Sequence, residues 1–393
     1  MALSTKKRLI LVKIESTYGT DSVPVIADAV LCTGLELSPL EGSAVDRNFI
    51  RPYFANSGSI RVENYASIGF ETEIAGSGAA ATAPEWGVLL RSCNFTETVT
   101  PTPIAGACGT GSTTQTVVLA AGSSTIDDFY TGMTIGFAGT GGAQQGEIVK
   151  YVGSTLTATL AKPIVTAPVV TATTYTIGTN VLYMPNSNFS ASANTSASIY
   201  FNVDGVKHVL LGARGTVSFD LSPKQIPKMK WKFTGLLGTV SDSPQANPAT
   251  NFTGWQVPVT VSTANTTDIS ILGYNAAVIE KLTFDIANTV AYRQTLGSES
   301  VLITDRKPAG SISLEAGTLA TKDWWTPVKA ATTGAFCIKH GQTAGNIVGF
   351  TAPQMQLTDP KYSDSNGVQM LDMGIIFQPF GAGGNDELRI CSK

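Results

Sequence analysis

One order of elements occurs twice in this chain, and that constrains the fold more than any composition figure does. From Gly34 to Trp86 the sequence runs through an alternating stretch, a polar Arg-bearing connection, a second alternating stretch led in by Gly, and a Trp-bearing segment. Ala277 to Trp325 repeats the order, with AVIEKLTFDIANTVAYR and LITDRKPAGSISLE in the corresponding places. The later parts also correspond, Ile199–Gly235 with Phe336–Gln378. Few letters are shared, so the likeness is one of pattern. Two like units in one chain suggest a part that packs against copies of itself, as repeat and ring-forming proteins do.

Composition agrees. Charged residues make up 14% of the 393 and hydrophobic residues 43%, whereas charged residues are about a quarter of an ordinary soluble domain. Such weakly charged faces suit burial against neighbours. The 39 glycines, with abundant Thr and Ser, point to many turns and a β-rich fold. A net charge of −3 leaves no electrostatic footprint for gripping nucleic acid. The short basic clusters Lys6–Arg8 and Lys224–Lys232 read as solvated. Five scattered cysteines without a CxxC pair favour reduced thiols made in a cytoplasm. The N-terminal apolar stretch is too short and interrupted for a signal peptide, and no segment is long enough to span a bilayer, so no membrane partner is expected.

The expected class is all-β with minor helix: two tandem β-sandwich or barrel-like units plus a small inserted β domain. The first unit takes 1–105 and 178–245, the insert 106–177, and the second unit 246–393. Arg8–Ile14 alternates and reads equally as an arm over a neighbour or as an ordinary first strand. Strands at Gly34–Leu37 and Ser59–Ile74 flank the connection Glu41–Ser57, which is long for a compact hairpin. Pro84–Arg91 carries helix signals, with Trp86, Leu89 and Leu90 on one face. Within the insert, Gln115–Leu119, Met133–Phe137, Glu147–Val152 and Leu156–Leu160 read as strands between linkers Gly106–Ser112 and Val165–Thr174. Asp204-Gly205 is a hairpin signal joining Ile199–Val203 to Lys207–Leu211; strands Gly215–Leu221 and Lys228–Leu236 follow. Ser241–Trp255 reads as a linker and Gly381–Lys393 as a polar tail.

Nothing in the sequence argues for chemistry. His208 and His340 have no partner at metal-ligand spacing and read as structural. Asp127-Asp128 lies in a turn. Asp359 to Gly367 evokes a calcium loop but lacks the closing acid, so it too reads as a turn. Gly139–Gly146 has no following Lys-Ser/Thr and reads as a hairpin tip rather than a phosphate cradle. GxSxG and SxxK are absent. The chain is therefore read as no enzyme, with no catalytic residue, no cofactor and no metal.

TYGTDSVPVIADAVLCTGLELSP, GFETEIAGSG…APEWGVLLRSCNF, SASIYFNVDGVKHVLLGARGTVSFDL and VIEKLTFDIANTVAYR…VLITDRKPAGSISLE together resemble the major tail tube proteins of long-tailed, siphovirus-like bacteriophages. DDFYTGMTIGFAGTGGAQQGEIVKYVGSTLTATL resembles small β modules of phage tail and fibre proteins. The resemblance implies a virion structural protein, assembled in the host bacterial cytoplasm, whose sheets line a lumen. DNA and the tape-measure protein pass through that lumen, and tail-tip and terminator proteins are further partners. Single-unit members of the family form hexameric rings locked together by a long loop and terminal arms. Two units per chain then predict homotrimeric rings with pseudo-sixfold symmetry; a homohexamer is the alternative. Candidate ring-to-ring contacts are Asp46, Arg47, Arg51 and Tyr53 in the first loop, with Tyr292, Arg293, Asp305 and Arg306 as counterparts. The insert is expected on the outer wall. A receptor-binding or fibre-type adhesin is the rival reading. A secreted carbohydrate-active enzyme is the second rival, but it needs paired carboxylates in an aromatic-lined cleft, and the acids here fall mostly in turns and loops.

Overall fold

Alternating apolar residues become strands along nearly the whole chain. The computed structural model describes residues 2–187, 195–243, 252–381 and 383–393. The first elements are β1 (Arg8–Ile14), β2 (Ala29–Val30), β3 (Thr33–Glu41), β4 (Ala44–Asp46), β5 (Ser59–Arg61) and β6 (Tyr65–Glu73). In β6 every second residue from Ala66 to Thr72 is buried, the mark of a sheet with one covered face. Helix α1 (Gly87–Ser92) buries Leu89 and Leu90, and the buried Trp86 before it donates its indole N–H to the Ala75 carbonyl at 2.7 Å. β7 (Phe95–Thr100) leads into the insert: β8 (Ile104–Ala107), β9 (Thr116–Val118), β10 (Thr134–Gly139), β11 (Gln144–Val152), β12 (Thr157–Leu160) and β13 (Thr173–Ile177). These form a six-stranded sheet in the order β8-β13-β10-β11-β12-β9.

The chain returns through β14 (Asn180–Pro185), β15 (Ala197–Val203), β16 (Val206–Asp220), β17 (Lys228–Leu237) and β18 (Ser241–Asp242). The second half holds β19 (Thr266–Ile271), β20 (Ile279–Asp285), β21 (Asn288–Thr295), β22 (Ser298–Arg306), β23 (Ala309–Glu315), α2 (Trp325–Lys329), β24 (Thr333–His340), β25 (Val348–Ser365), β26 (Val368–Gln378) and β27 (Arg389–Ser392).

One pairing order recurs. The first half runs β3-β6-β17-β16-β15-β1, and the second runs β20-β23-β26-β25-β24-β19. The long strands β16 and β25 serve two layers each, pairing in their first part with β15 or β24 and in their later part with β17 or β26. Bulges make the bend possible. In β16 the bulge holds Gly212 at φ +57, where an added Cβ would sit 2.7 Å from the Tyr18 ring. The Gly212 N–H donates to Glu15 Oε1 at 2.7 Å. Glu15 is fully buried and also accepts from Gly19 N–H, Ser196 Oγ and Ser198 Oγ, which offsets the cost of taking a carboxylate out of water. The corresponding bulge in β25 contains Pro353, which has no N–H to give to a ladder.

The halves are joined edge to edge. Ser218, Phe219 and Asp220 of β16 lie opposite Asp285, Phe284 and Thr283 of β20. The Phe219 and Phe284 rings stack at 4.9 Å, and Phe350 meets Phe284 edge-on at 5.4 Å. One hydrophobic core therefore runs from Ile10 to Ile390 through both halves. The result is all-β, and its eight-stranded layer reads β3-β6-β17-β16-β20-β23-β26-β25.

Of the two readings of Arg8–Ile14, the ordinary first strand holds: Leu9 to Val12 are buried, and β1 pairs with β15 and β2. Four local expectations need correction. The Glu41–Ser57 connection contains β4, which pairs with β5 as a two-stranded ribbon. Lys207–Leu211 and Gly215–Leu221 are one strand, because the Gly212 bulge bends the ladder without ending it. The linkers bounding the insert are strand at their outer edges, where β8 meets β13 and Ala107 lies opposite Thr174. The polar tail ends in β27, all four residues buried between β14 and β25, since Ile390 and Cys391 complete the core there. The Asp204-Gly205 turn has φ 40 and φ 102, as a type I′ hairpin requires. Part of Ser241–Trp255 lies outside the described residues.

Candidate assembly surfaces

No chemical centre emerges from the polar groups that the sequence singles out. His340 is buried, with Nδ1 2.9 Å from Thr266 Oγ1 and Nε2 3.1 Å from the Val259 carbonyl. Burial pushes its pKa down, so it is a neutral structural ring. His208 sits beside the Phe201 ring, and burial lowers its pKa as well. Asp128 is buried and accepts from Thr131 Oγ1 at 2.8 Å and from the Tyr151 N–H at 3.3 Å. Asn366-Gly367 makes the β25–β26 turn, and Gly139–Gly146 spans the β10–β11 hairpin. Among the described residues no group of three or more His, Cys, Asp or Glu is placed to hold a metal ion. No helix among them is long and apolar enough to cross a membrane.

The eight-stranded layer offers a surface instead. Its core side carries Ile68, Phe70, Phe219, Trp231, Phe233, Phe284 and Ile375, all buried. The alternate residues turn to the other side and are polar: Ser67, Glu71, Thr283, Asp285, Ser311, Asp372. On β17 this face bears Lys228, Lys230 and Lys232 in a row. Glu73 lies opposite Lys228 and Glu71 opposite Lys230 on β6, and Asp220 lies opposite Lys228 on β16. Lys228 Nζ is 2.8 Å from Glu71 Oε2. The alternation KMKWKF in the sequence is the signal that locates this row, which by sequence alone reads only as a solvated basic cluster leading into a strand.

Two ribbons leave the same end of the layer, where β3 and β20 finish. The β4–β5 ribbon is exposed in every strand residue. Its tip carries Arg47 over the Phe49 ring at 4.7 Å and Arg51 between Phe49 and Tyr53, with Ile50 and Phe54 fully exposed and Asp46 at the stem. The β21–β22 ribbon is different, because it folds back on the first half. Tyr292 stacks on Tyr65 at 4.8 Å and donates to Glu299 at 2.6 Å; burial and that carboxylate push its pKa up to about 12. Arg293 lies opposite Ser300, nearer the tip. Asp305 pairs with Lys307 at 3.1 Å, which lowers its pKa. Arg306 is at the base, its side chain held by Glu387 at 2.5 Å and by the Asn186 carbonyl at 2.9 Å. The candidate residues thus separate into tip, stem and base. At the far end of the layer an apolar cleft of about 570 Å³ opens between Leu221, Val261, Ile269 and Ile279.

The insert docks on the second half through buried charge. Glu147 of β11 meets Lys393 Nζ, and Lys339 Nζ lies 3.7 Å from Glu147 and 2.5 Å from Asp268. Burial works to lower the Lys393 pKa, but the Glu147 charge outweighs it and the net shift is upward. Burial would raise Asp268; the Lys339 hydrogen bond and charge hold it below the usual carboxylate range. Scattered over the sequence, these four residues give no local signal of a cluster.

Comparison with the curated proteins gives no match. The family described as phage tail tube protein matches residues 5–381, a span that takes in both halves and the insert. With this match over nearly the whole of a nearly all-β chain, the chain belongs to the phage tail tube protein family.

Proposed function

We propose that this chain is a double subunit of the tube wall: three chains supply six like units to a ring with pseudo-sixfold symmetry, and rings stack into the conduit for genome delivery. The observation that carries this reading is the recurrence of one pairing order in both halves, with β16 of the first joined to β20 of the second. If that join recurs between chains, open edges become closed walls, and closure by rotation makes a ring rather than an unlimited sheet.

The polar side of the eight-stranded layer faces the lumen. Its lysine row is flanked by Glu71, Glu73 and Asp220, so a passing polyanion meets no continuous basic stripe to hold it. The first ribbon's tip makes the ring-to-ring contact through Arg47, Arg51 and Tyr53, and Arg293 is the candidate nearest the second tip; Asp46 at the stem, Tyr292 against Tyr65, and Asp305 and Arg306 at the base support the ribbons behind that contact. The support for this contact is exposure: Ile50 and Phe54 are uncovered, while the opposite end of the layer presents an apolar cleft. The insert stands on the outer wall, and the tape-measure, tail-tip and terminator proteins are the partners within a siphovirus-like tail.

Cryo-electron microscopy of the purified protein tests the reading. Tubes with three chains per ring are expected. Six chains per ring would overturn the stoichiometry, and discrete single chains would overturn the tube. Arg47→Ala with Arg51→Ala is expected to keep single rings and abolish stacking; unchanged tubes would remove the tips from that role.

A further inference from the structure

Corresponding positions in the two halves can be read from strand pairing. Gly215, Phe233, Ile68 and Leu37 lie opposite one another across β16, β17, β6 and β3. Leu357, Ile375, Gly310 and Phe284 make the same row across β25, β26, β23 and β20. Leu37 therefore holds the place of Phe284. Farther along, past the residue that a bulge adds to β25, Tyr362 lies opposite Leu371 as Phe219 lies opposite Met229. So Tyr362 holds the place of Phe219.

Within the chain Phe219 and Phe284 are buried against each other across the join. Their counterparts stand apart. Tyr362 is 60% exposed. Lys361–Ser363 has β26 on one side and, among the described residues, no strand on the other; β3 likewise has β6 alone. The ribbons repeat the contrast. β21–β22 closes over the first half, with the Val301 N–H donating to Tyr18 Oη at 2.5 Å, and with Val290 and Tyr292 walling a cleft of about 630 Å³ above Thr234. β4–β5, which follows β3 as β21–β22 follows β20, covers nothing among the described residues: Val45 and Ile60, opposite each other, are each 56% exposed. Thr234 has as its counterpart Ile376, 40% exposed on the polar side.

We propose that a second copy of this chain closes both gaps at once: Lys361–Ser363 pairs antiparallel with Glu36–Ser38 of that copy, and that copy's β4–β5 ribbon closes over Ile376. The register follows the internal join, with Lys361 opposite Ser38, Tyr362 opposite Leu37 and Ser363 opposite Glu36. Tyr362 and Leu37 are then buried on the core side, and Lys361 and Glu36 share the polar side with opposite charge. This seam rests on the tube reading and deepens it: the stem of the first ribbon acts sideways within a ring, and its tip alone is left for the axial contact.

The full-length chain carrying Ser38→Cys and Lys361→Cys, assembled and then oxidised, tests the seam. Opposed Cβ atoms of an antiparallel pair lie about 4.5–5.5 Å apart, within a small adjustment of disulfide geometry. Chains linked into threes on a denaturing gel are expected from the double variant and from neither single one. In a second arm, Tyr362→Asp is expected to leave the fold of the single chain intact and to cut sedimentable tube by about tenfold or more, since it buries an unpaired charge in the joint. Normal tubes from a double variant that still runs as single chains would overturn the seam and leave the tube reading standing. A native chain that never assembles would overturn the tube reading and the seam with it.

Discussion

Two junctions can be compared in this molecule, and they differ in the part that charge plays. The join between the halves is a strand pairing backed by stacked aromatic rings, Phe219 on Phe284, in a core shared by both sides. The dock of the insert combines the ions Glu147, Lys339, Lys393 and Asp268 with apolar contact: Val149 and Ala161 meet Cys337, and the insert's core takes in Leu182 of β14 and Cys391 of β27. Apolar contact gains from burial without regard to partner, whereas buried charge costs several kcal/mol unless every ion is paired. The first junction therefore binds the halves into one folding unit. The second fixes where the insert sits, and fails if any one member is lost.

The largest expected effect is at the join. Phe284→Ala should remove about 3–5 kcal/mol of stability, the usual cost of deleting a buried aromatic ring that several others contact. Chemical denaturation should show both halves unfolding earlier and together. Separate transitions for the two halves would break the claim that they share a core. Next comes Glu147→Ala, which leaves Lys393 buried without its carboxylate. Breaking a buried pair costs about 3–5 kcal/mol, but here the loss should be local. Hydrogen exchange should accelerate in β11 and at the β24 contact while β6 and β17 keep their protection. Uniform acceleration would make the insert part of the main folding unit.

The sequence shows the strands that lead to the first junction but not the pairing that makes it, and of the second it shows less. Alternation in GFETE and KMKWKF, the Asp204-Gly205 turn and the repeated order are local signals, and each yields a strand or hairpin where expected. β27 is the opposite case. Four residues, RICS, are too short a run to show a period, and they are a strand only because β14 and β25, distant in sequence, offer free edges on both sides. The bulge at Gly212 is equally hidden: a lone Gly in a strand pattern signals a break as readily as a bend. Of the proposed contact residues, Arg47, Arg51 and Tyr53 lie on an exposed tip as their polar setting suggested, while Arg306 is occupied by Glu387. No local pattern could reveal that pair, because its members come from β22 and the C-terminal segment.

pH should separate the junctions more gently than mutation does. Asp268 has a pKa held below the usual carboxylate value, so its contribution is fully present above that value, about 3.9, and is lost as pH falls through the lower folded value. Lys393 is shifted upward, so its contribution is present below the ordinary lysine value and is lost as pH rises through the folded one. The dock should loosen at both extremes and hold between them, whereas Phe219 and Phe284 have nothing to titrate. Exchange in β11 followed from neutral pH into acid would show this. A dock insensitive to acid below about pH 3.9 would mean that the apolar patch around Cys337 carries it.

The smallest effect sharpens the comparison from a third direction. Lys228 and Glu71 form an ion pair at 2.8 Å on the polar face, as close as many buried pairs, but their side chains are 38% and 27% exposed. Water screens such a pair, and ordering two long side chains uses up much of what attraction remains. Lys228→Ala should therefore change stability by less than about 1 kcal/mol, with denaturation midpoints nearly superimposable on the native chain and little response to added salt. A loss as large as that of Glu147→Ala would show that burial is not what separates the two sets of charges. A small loss would leave the lysine row free for another task, which on the proposed tube reading is to balance the acids of a lumen face so that passing DNA is not held.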